Sequence, residues 1–192
     1  MTVQFKPLFR PSPKPASNAA GRPVIEWLNS GVADGLDHAS LLSASGSRLR
    51  RAGLMVDRLV LHLGTLHPEV FDRTLAWAPG EPVEIYEQDH PATVSAGFAE
   101  SPFREAAIIG SKLVVRVADV KFAEALRTGV LGGRGLLELV AVPLSGLGGL
   151  PVIASFCTTR ATFFSAADHR LIDSVQAALQ DTLQRRSYAI EC

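Results

Sequence analysis

Cysteine is nearly absent from this chain: Cys157 and Cys192 are the only two in 192 residues. Neither lies in a C-x-x-C pair, so the sequence carries no disulfide framework and no cysteine-type zinc site. Cys157 ends an apolar run and reads as a small buried core residue, a usage that fits a reducing compartment. Net charge is also absent. Lys+Arg and Asp+Glu each count 19, so no global field draws the chain to nucleic acid or to an anionic membrane. No run of about 18 apolar residues occurs, which excludes an ordinary membrane-spanning helix. The N-terminus has no apolar h-region, which excludes a secretory signal and leaves the cytoplasm as the expected location. Aromatics are sparse at 7%, yet the hydrophobic fraction of 47% is enough for a full core.

The first 22 residues contain no acidic residue. Pro7, Pro11, Pro13 and Pro15 alternate there with Lys6, Arg10 and Lys14. Such a stretch buries little, so residues 1–21 are expected to be a mobile, Pro-rich extension, with one folded domain over 22–192. The folded part opens with a helix at Pro23, where Val24, Trp27 and Leu28 share a face. A second helix follows a glycine-containing break, with Asp37 as its cap and Gly53 as its stop.

The period then changes from helical to alternating. Leu59, Leu61 and Leu63 mark a strand, Phe71 to Trp77 a second, and Val83 to Tyr86 a third. The connections are too short for crossover helices, so the strands are antiparallel. After an irregular middle with a helical turn or two at 103–109, Lys112 to Val117 forms a strand and Val120 to Arg127 a short helix. Leu136–Leu144 and Pro151–Thr158 add two strands, and a long amphipathic helix starts at a capping box, Ser165 to Asp168. The fold class is therefore α+β: a single antiparallel sheet of about six strands with flanking helices.

Motifs that carry chemistry are few. The glycine clusters 132–135 and 146–149 do not open a helix after a strand and lack the P-loop Lys, so they read as turns. His62 and His67 flank a turn, but no acidic or thiol partner has metal-ligand spacing, and no metal site is expected. No G-x-S-x-G elbow occurs, and Asp168-His169 is explained by helix capping. No catalytic residue emerges, and no cofactor is specified.

Particular residues nevertheless resemble those of a known family. Val24-Ile25-Glu26-Trp27-Leu28, Arg48 to Leu54 leading into a strand, Thr65-Leu66-His67-Pro68, Trp77 in the next strand and the closing Phe164 to Asp168 resemble GAF domains. More narrowly, they resemble the GAF-like regulatory domain that precedes the catalytic domain of bacterial class III adenylate cyclases. The resemblance covers about residues 22–186. It implies a six-stranded sheet with helices on one face, an open or vestigial ligand pocket on the other, and dimerisation through terminal helices. On such a sheet Arg73, Trp77 and Tyr86 would line a cavity for an anionic or cyclic-nucleotide-like ligand, with His67 shaping the turn or touching a partner. Equally, Trp77 is core and Arg73 a surface ion-pair residue. Cys157 does not occupy a position suited to a covalent bilin.

The sequence holds no cyclase catalytic part, so the chain is not expected to make cyclic AMP. The expected function is that of a regulatory sensor, a homodimer that binds a small molecule or relays the state of a protein effector. The competing reading is a structural adaptor whose pocket is filled by its own side chains, and a third is a small enzyme on this scaffold. The final helix is expected to bury its stripe only partly, leaving Leu183 without a partner inside the chain and available to a second copy.

Overall fold

In a computed structural model, the structure describes residues 19–64, 70–89, 101–119, 121–144 and 152–190. Residues 1–18, the expected turn at His67, most of the middle segment and the 146–149 glycines lie outside them. The first described residues, Ala19–Gly21, form a 3-10 turn with Gly21 buried.

Six strands make one antiparallel sheet in the order β3-β2-β1-β6-β5-β4, as the short connections predict. They are β1 (Arg58–Gly64), β2 (Val70–Trp77), β3 (Glu84–Asp89), β4 (Leu113–Arg116), β5 (Glu138–Leu144) and β6 (Val152–Thr158). Alternation along β1 divides the molecule. Leu59, Leu61 and Leu63 join Leu75, Trp77, Val140, Val142, Ala154 and Phe156 in one buried cluster, under α1 (Arg22–Asn29), α2 (His38–Arg51) and α4 (Ala166–Ile190). Val60 faces the other way, into a second cluster with Ala76, Leu139, Ile153 and Cys157, capped by Phe103 of α3 (Pro102–Ile109) and by Leu131 and Leu136. The two sides are called here the helix face and the far face.

The helix ends follow the sequence signals. The Asp37 carboxylate accepts the Ser40 amide at 2.6 Å, and Gly53, at φ +93°, turns the chain out of α2. Ser165 and Asp168 exchange hydrogen bonds at the start of α4: the Ser165 amide donates to the carboxylate at 2.7 Å and the Asp168 amide to Ser165 Oγ at 3.2 Å. These bonds satisfy donors that a helix start leaves without an internal partner.

Two expectations are corrected. Residues 121–127 form successive turns, not a helix. Isolated bonds such as Phe122 N–H to Asp119 O and Leu126 N–H to Phe122 O replace a continuous ladder. Phe122 and Leu126 are both buried in the far-face cluster, so burial on the sheet decides this segment's path over its local helical spacing. The second correction concerns α4. Leu183 is only 2% exposed within the single chain, because α1 and the 3-10 turn Val32–Gly35 lie along the distal half of the helix. Thr182 Oγ1 and Arg185 Nη2 both donate to the Leu28 carbonyl, at 3.0 and 2.8 Å, and Arg185 pairs with Asp34 at 3.0 Å. The end of α1 thus receives donors for a carbonyl its own helix cannot satisfy. Among the described side chains, the stripe of α4 from Leu171 to Leu183 is covered within the single chain.

Asp57 ties β1 to the end of β6. Its carboxylate accepts from the Thr159 amide at 2.8 Å, both Thr158 and Thr159 hydroxyls, and Arg50. Burial raises this carboxyl, but the Thr159 amide and the other donors outweigh it and hold it below the usual range. A depressed carboxyl contributes stability above its unfolded value, near pH 4, and that contribution disappears as pH falls through the folded value. Asp57→Asn is therefore expected to lower the urea midpoint at pH 7 and to converge on the unaltered chain as pH drops below about 4. A midpoint difference independent of pH would refute this assignment.

Candidate functional site

The helix-face side of the sheet is lined at its centre by apolar side chains, with the buried hydroxyl of Ser45 of α2 above it, whereas on the far face the sheet strands themselves carry the buried polar groups Arg58, His62, Thr74 and Ser155. This asymmetry locates the candidate site. His62, 8% exposed, follows Val60 on the far-face side of β1, and Thr74 lies directly opposite it on β2. The Thr74 hydroxyl and His62 Nδ1 are 2.7 Å apart. The Phe103 ring, delivered by α3, lies over the imidazole with centroids 3.9 Å apart. Ser101 positions α3 by accepting the Arg104 amide at its N-cap. Across β1, the Ser155 side chain of β6 is fully buried opposite Val60. Its hydroxyl has no hydrogen-bond partner among the described residues.

The same face carries an ion-pair network at its β3 end. Arg58 is 1% exposed. Its Nε and Nη2 donate to the Val130 carbonyl at 3.2 and 3.0 Å, and Nη2 also pairs with the Glu84 carboxylate. Glu84 further accepts from the Tyr86 hydroxyl at 2.8 Å and from Arg134 at 2.9 Å, while Arg134 holds Glu81 at 2.8 and 2.7 Å. The hydrogen bond from Arg58 holds the Glu84 carboxyl below its ordinary range; burial and the bond to Glu84 raise the Tyr86 phenol.

The sequence candidates do not meet in one cavity. Trp77, 3% exposed, is helix-face core. Arg73 shares its side of β2 but is half exposed and pairs with Glu87 at 2.5 Å. Tyr86 pairs in register with Thr74 and so stands on the far face. His67 lies outside the described residues. Arg58, Glu84, Arg134, His62, Thr74 and Ser155 are the polar residues that sequence reasoning left aside. One signal was available: on β1 the leucines claim one face, and Arg58 and His62 recur on the other at the strand period.

The polar groups of this arrangement supply donors and acceptors on a buried, partly aromatic floor, a common composition for small-molecule sites. Nucleophilic chemistry has little support there: burial pushes the Cys157 thiol far above its ordinary range, and the thiolate is the reactive form. Among the described residues no three His, Cys, Asp or Glu side chains come together to hold a metal, and no helix is long and apolar enough to cross a membrane.

No protein-family model matches the sequence, and no curated protein matches it. Solved structures do match the fold. The phycoerythrobilin-bound GAF domain of a cyanobacterial phytochrome superposes with a TM-score of 0.60 at 14% identity, covering 90% of this chain and 98% of that one. A putative GAF sensor protein from Burkholderia vietnamiensis gives 0.56 at 17%, covering 90% and 99%. A free methionine-R-sulfoxide reductase from Neisseria meningitidis, solved with its substrate, gives 0.58 at 18%, covering 91% and 94%. The chain has the GAF fold.

Proposed function

We propose that this chain is a non-catalytic regulatory module whose small-molecule ligand seats on the far face, beneath α3, against His62, Thr74 and Ser155. The buried Ser155 hydroxyl carries this reading. A buried hydroxyl without a partner costs about 1–3 kcal/mol, a cost that a ligand hydrogen-bonded to it would remove. Beside it the His62–Thr74 pair offers further polar groups, and Phe103 occupies the place over the imidazole that a planar ligand would take. Ligand entry displaces Phe103 and moves α3, the change that a partner would sense.

The solved neighbours include a phycoerythrobilin-bound GAF domain and a free methionine-R-sulfoxide reductase in complex with its substrate. They suggest a first panel: a linear tetrapyrrole, cyclic AMP and cyclic GMP, and free methionine sulfoxide. Native mass spectrometry of the purified chain and amide chemical shifts under titration test the proposal. Saturable shifts confined to β1, β2, β6 and α3 are expected, with Ser155→Ala weakening binding about tenfold. Shifts on the helix face alone would move the site elsewhere. Turnover of methionine sulfoxide would overturn the non-catalytic assignment.

A second reading is favoured by the 3.9 Å Phe103–His62 contact: the pocket is filled by the chain's own ring, and the module acts through protein contacts only. It predicts that Phe103→Ala binds nothing and is simply less stable. The effector proposed for either reading, from the resemblance of residues 24–28, 48–54 and 164–168, is a class III adenylate cyclase acting with a homodimer of this module. Cyclase activity unchanged by adding or fusing the chain would dismiss that pairing.

A further inference from the structure

Residues 121–136 lie across the far face as a strap. Phe122, Leu126, Leu131 and Leu136 bury there, yet the strap has little backbone structure of its own beyond turns and the 3-10 turn Gly129–Leu131. Gly133 and Gly135 both adopt positive φ, at +70° and +64°, which lets the chain double back but adds no hydrogen-bonded ladder. What fastens this end of the strap is side-chain chemistry from two arginines. Arg58, on the sheet, grips the Val130 carbonyl. Arg134, on the strap, reaches back to Glu81 and Glu84. Both guanidinium groups converge on the Glu84 carboxylate, which also takes the Tyr86 hydroxyl.

We infer that Glu84 is the latch of the far face: the carboxylate that clamps the 129–135 strap to the sheet and whose release lets the strap lift from β1 and β6. Arg58 makes the latch responsive. It is 1% exposed and its Nη1 has no partner among the described residues, so Glu84 is its charge partner in a place where an uncompensated charge is costly. Removing the Glu84 charge leaves a buried cation under the strap, and hydration of that cation favours the lifted state. The inference gives the proposed ligand seat its gate, and its functional meaning rests on that reading. Its test needs no ligand, so the two can fail separately.

Cys157 is a built-in reporter. It pairs with Arg58 across the β1–β6 ladder, is fully buried, and shares the far-face cluster with Leu131 and Leu136. In a Cys192→Ser background, alkylation of Cys157 by N-ethylmaleimide should be slow in the folded protein. Glu84→Gln is expected to accelerate it at least tenfold, and to speed amide hydrogen exchange in 121–136 while exchange in α1, α2 and α4 stays unchanged. Arg134→Ala, which leaves the Arg58–Glu84 pair in place, should show the same pattern more weakly and serves if Glu84→Gln fails to fold. Leu179→Ala, in the helix-face core, controls for general loosening. The latch is refuted if Cys157 reacts in Glu84→Gln or Arg134→Ala no faster than global stability predicts from Leu179→Ala, or if exchange in 121–136 does not change.

Discussion

Gly46→Ala is expected to destabilise the protein even though alanine is the better helix former. Gly46 lies inside α2 where the helix crosses the sheet, and a Cβ built there would stand 2.3 Å from Cε3 and 2.4 Å from Cζ3 of Trp77. The ring has nowhere to retreat: Trp77 is buried within the helix-face cluster between α2 and β2. Alanine gains about 1 kcal/mol of helix propensity, but separating two packed elements costs about 3 kcal/mol or more. The expected net loss is about 2 kcal/mol, or a fall in Tm of about 4–8 °C for a chain of this size. Gly46→Val should lose more, since it adds bulk at the same point without the propensity gain. Trp77→Phe reduces the ring that Gly46 accommodates, so the Gly46→Ala penalty should shrink in its presence. A full penalty in the double variant, or an alanine variant as stable as the original, would show that Trp77 is not the obstacle.

Glu138→Ala is expected to cost about 3 kcal/mol, a larger loss than most single substitutions produce. Glu138 opens β5 with its side chain fully buried. One oxygen accepts Arg116 Nε at 3.0 Å and the other accepts the Phe164 amide at 2.6 Å. The first bond involves an arginine whose side chain is 53% exposed, so the ion pair itself contributes modestly. The second bond pins the segment before α4, where Phe163 takes a left-handed φ of +59° and lies under the Arg116 guanidinium at 4.4 Å. A left-handed phenylalanine has a backbone cost of order 1–3 kcal/mol and persists only when its surroundings hold it. Alanine at 138 orphans the buried Phe164 amide and frees Phe163 to relax. Glu138→Gln keeps an acceptor for that amide, and Arg116→Ala leaves the amide bond intact, so both should lose less than about 2 kcal/mol. Urea denaturation of the three variants decides the order; Arg116→Ala as damaging as Glu138→Ala would assign the stability to the ion pair instead.

These two sites differ in how far the chain announces them. Gly46 is one more glycine in a helix of small residues, and nothing local connects it to Trp77, thirty-one positions later. Glu138 lies between Leu137 and Leu139 inside the stretch Leu136–Leu144 that reads as a strand, where a lone charged residue reads as a solvated position. The arginine latch is similarly silent, because Arg58, Glu84 and Arg134 come from a strand start, a strand edge and a glycine turn. The His62–Thr74 pair is half legible. Alternation places His62 opposite the leucines, but its partner depends on the β1–β2 register, which alternation alone leaves open.

By itself the sequence determined the local grammar: which segments are strands, from apolar residues at period two; where helices start and stop, from Asp37, Gly53 and Ser165; and that short connections make the sheet antiparallel. Those features depend on a few neighbouring residues, so they are written in the order of the chain. Only the tertiary structure decided that α1 covers the far end of α4, that residues 121–127 lie down as a strap rather than a helix, and that Trp77 and Tyr86 stand on opposite faces. Each of these follows from which surface is nearest in space when the core closes, and burial energy there exceeds the preferences of the local chain.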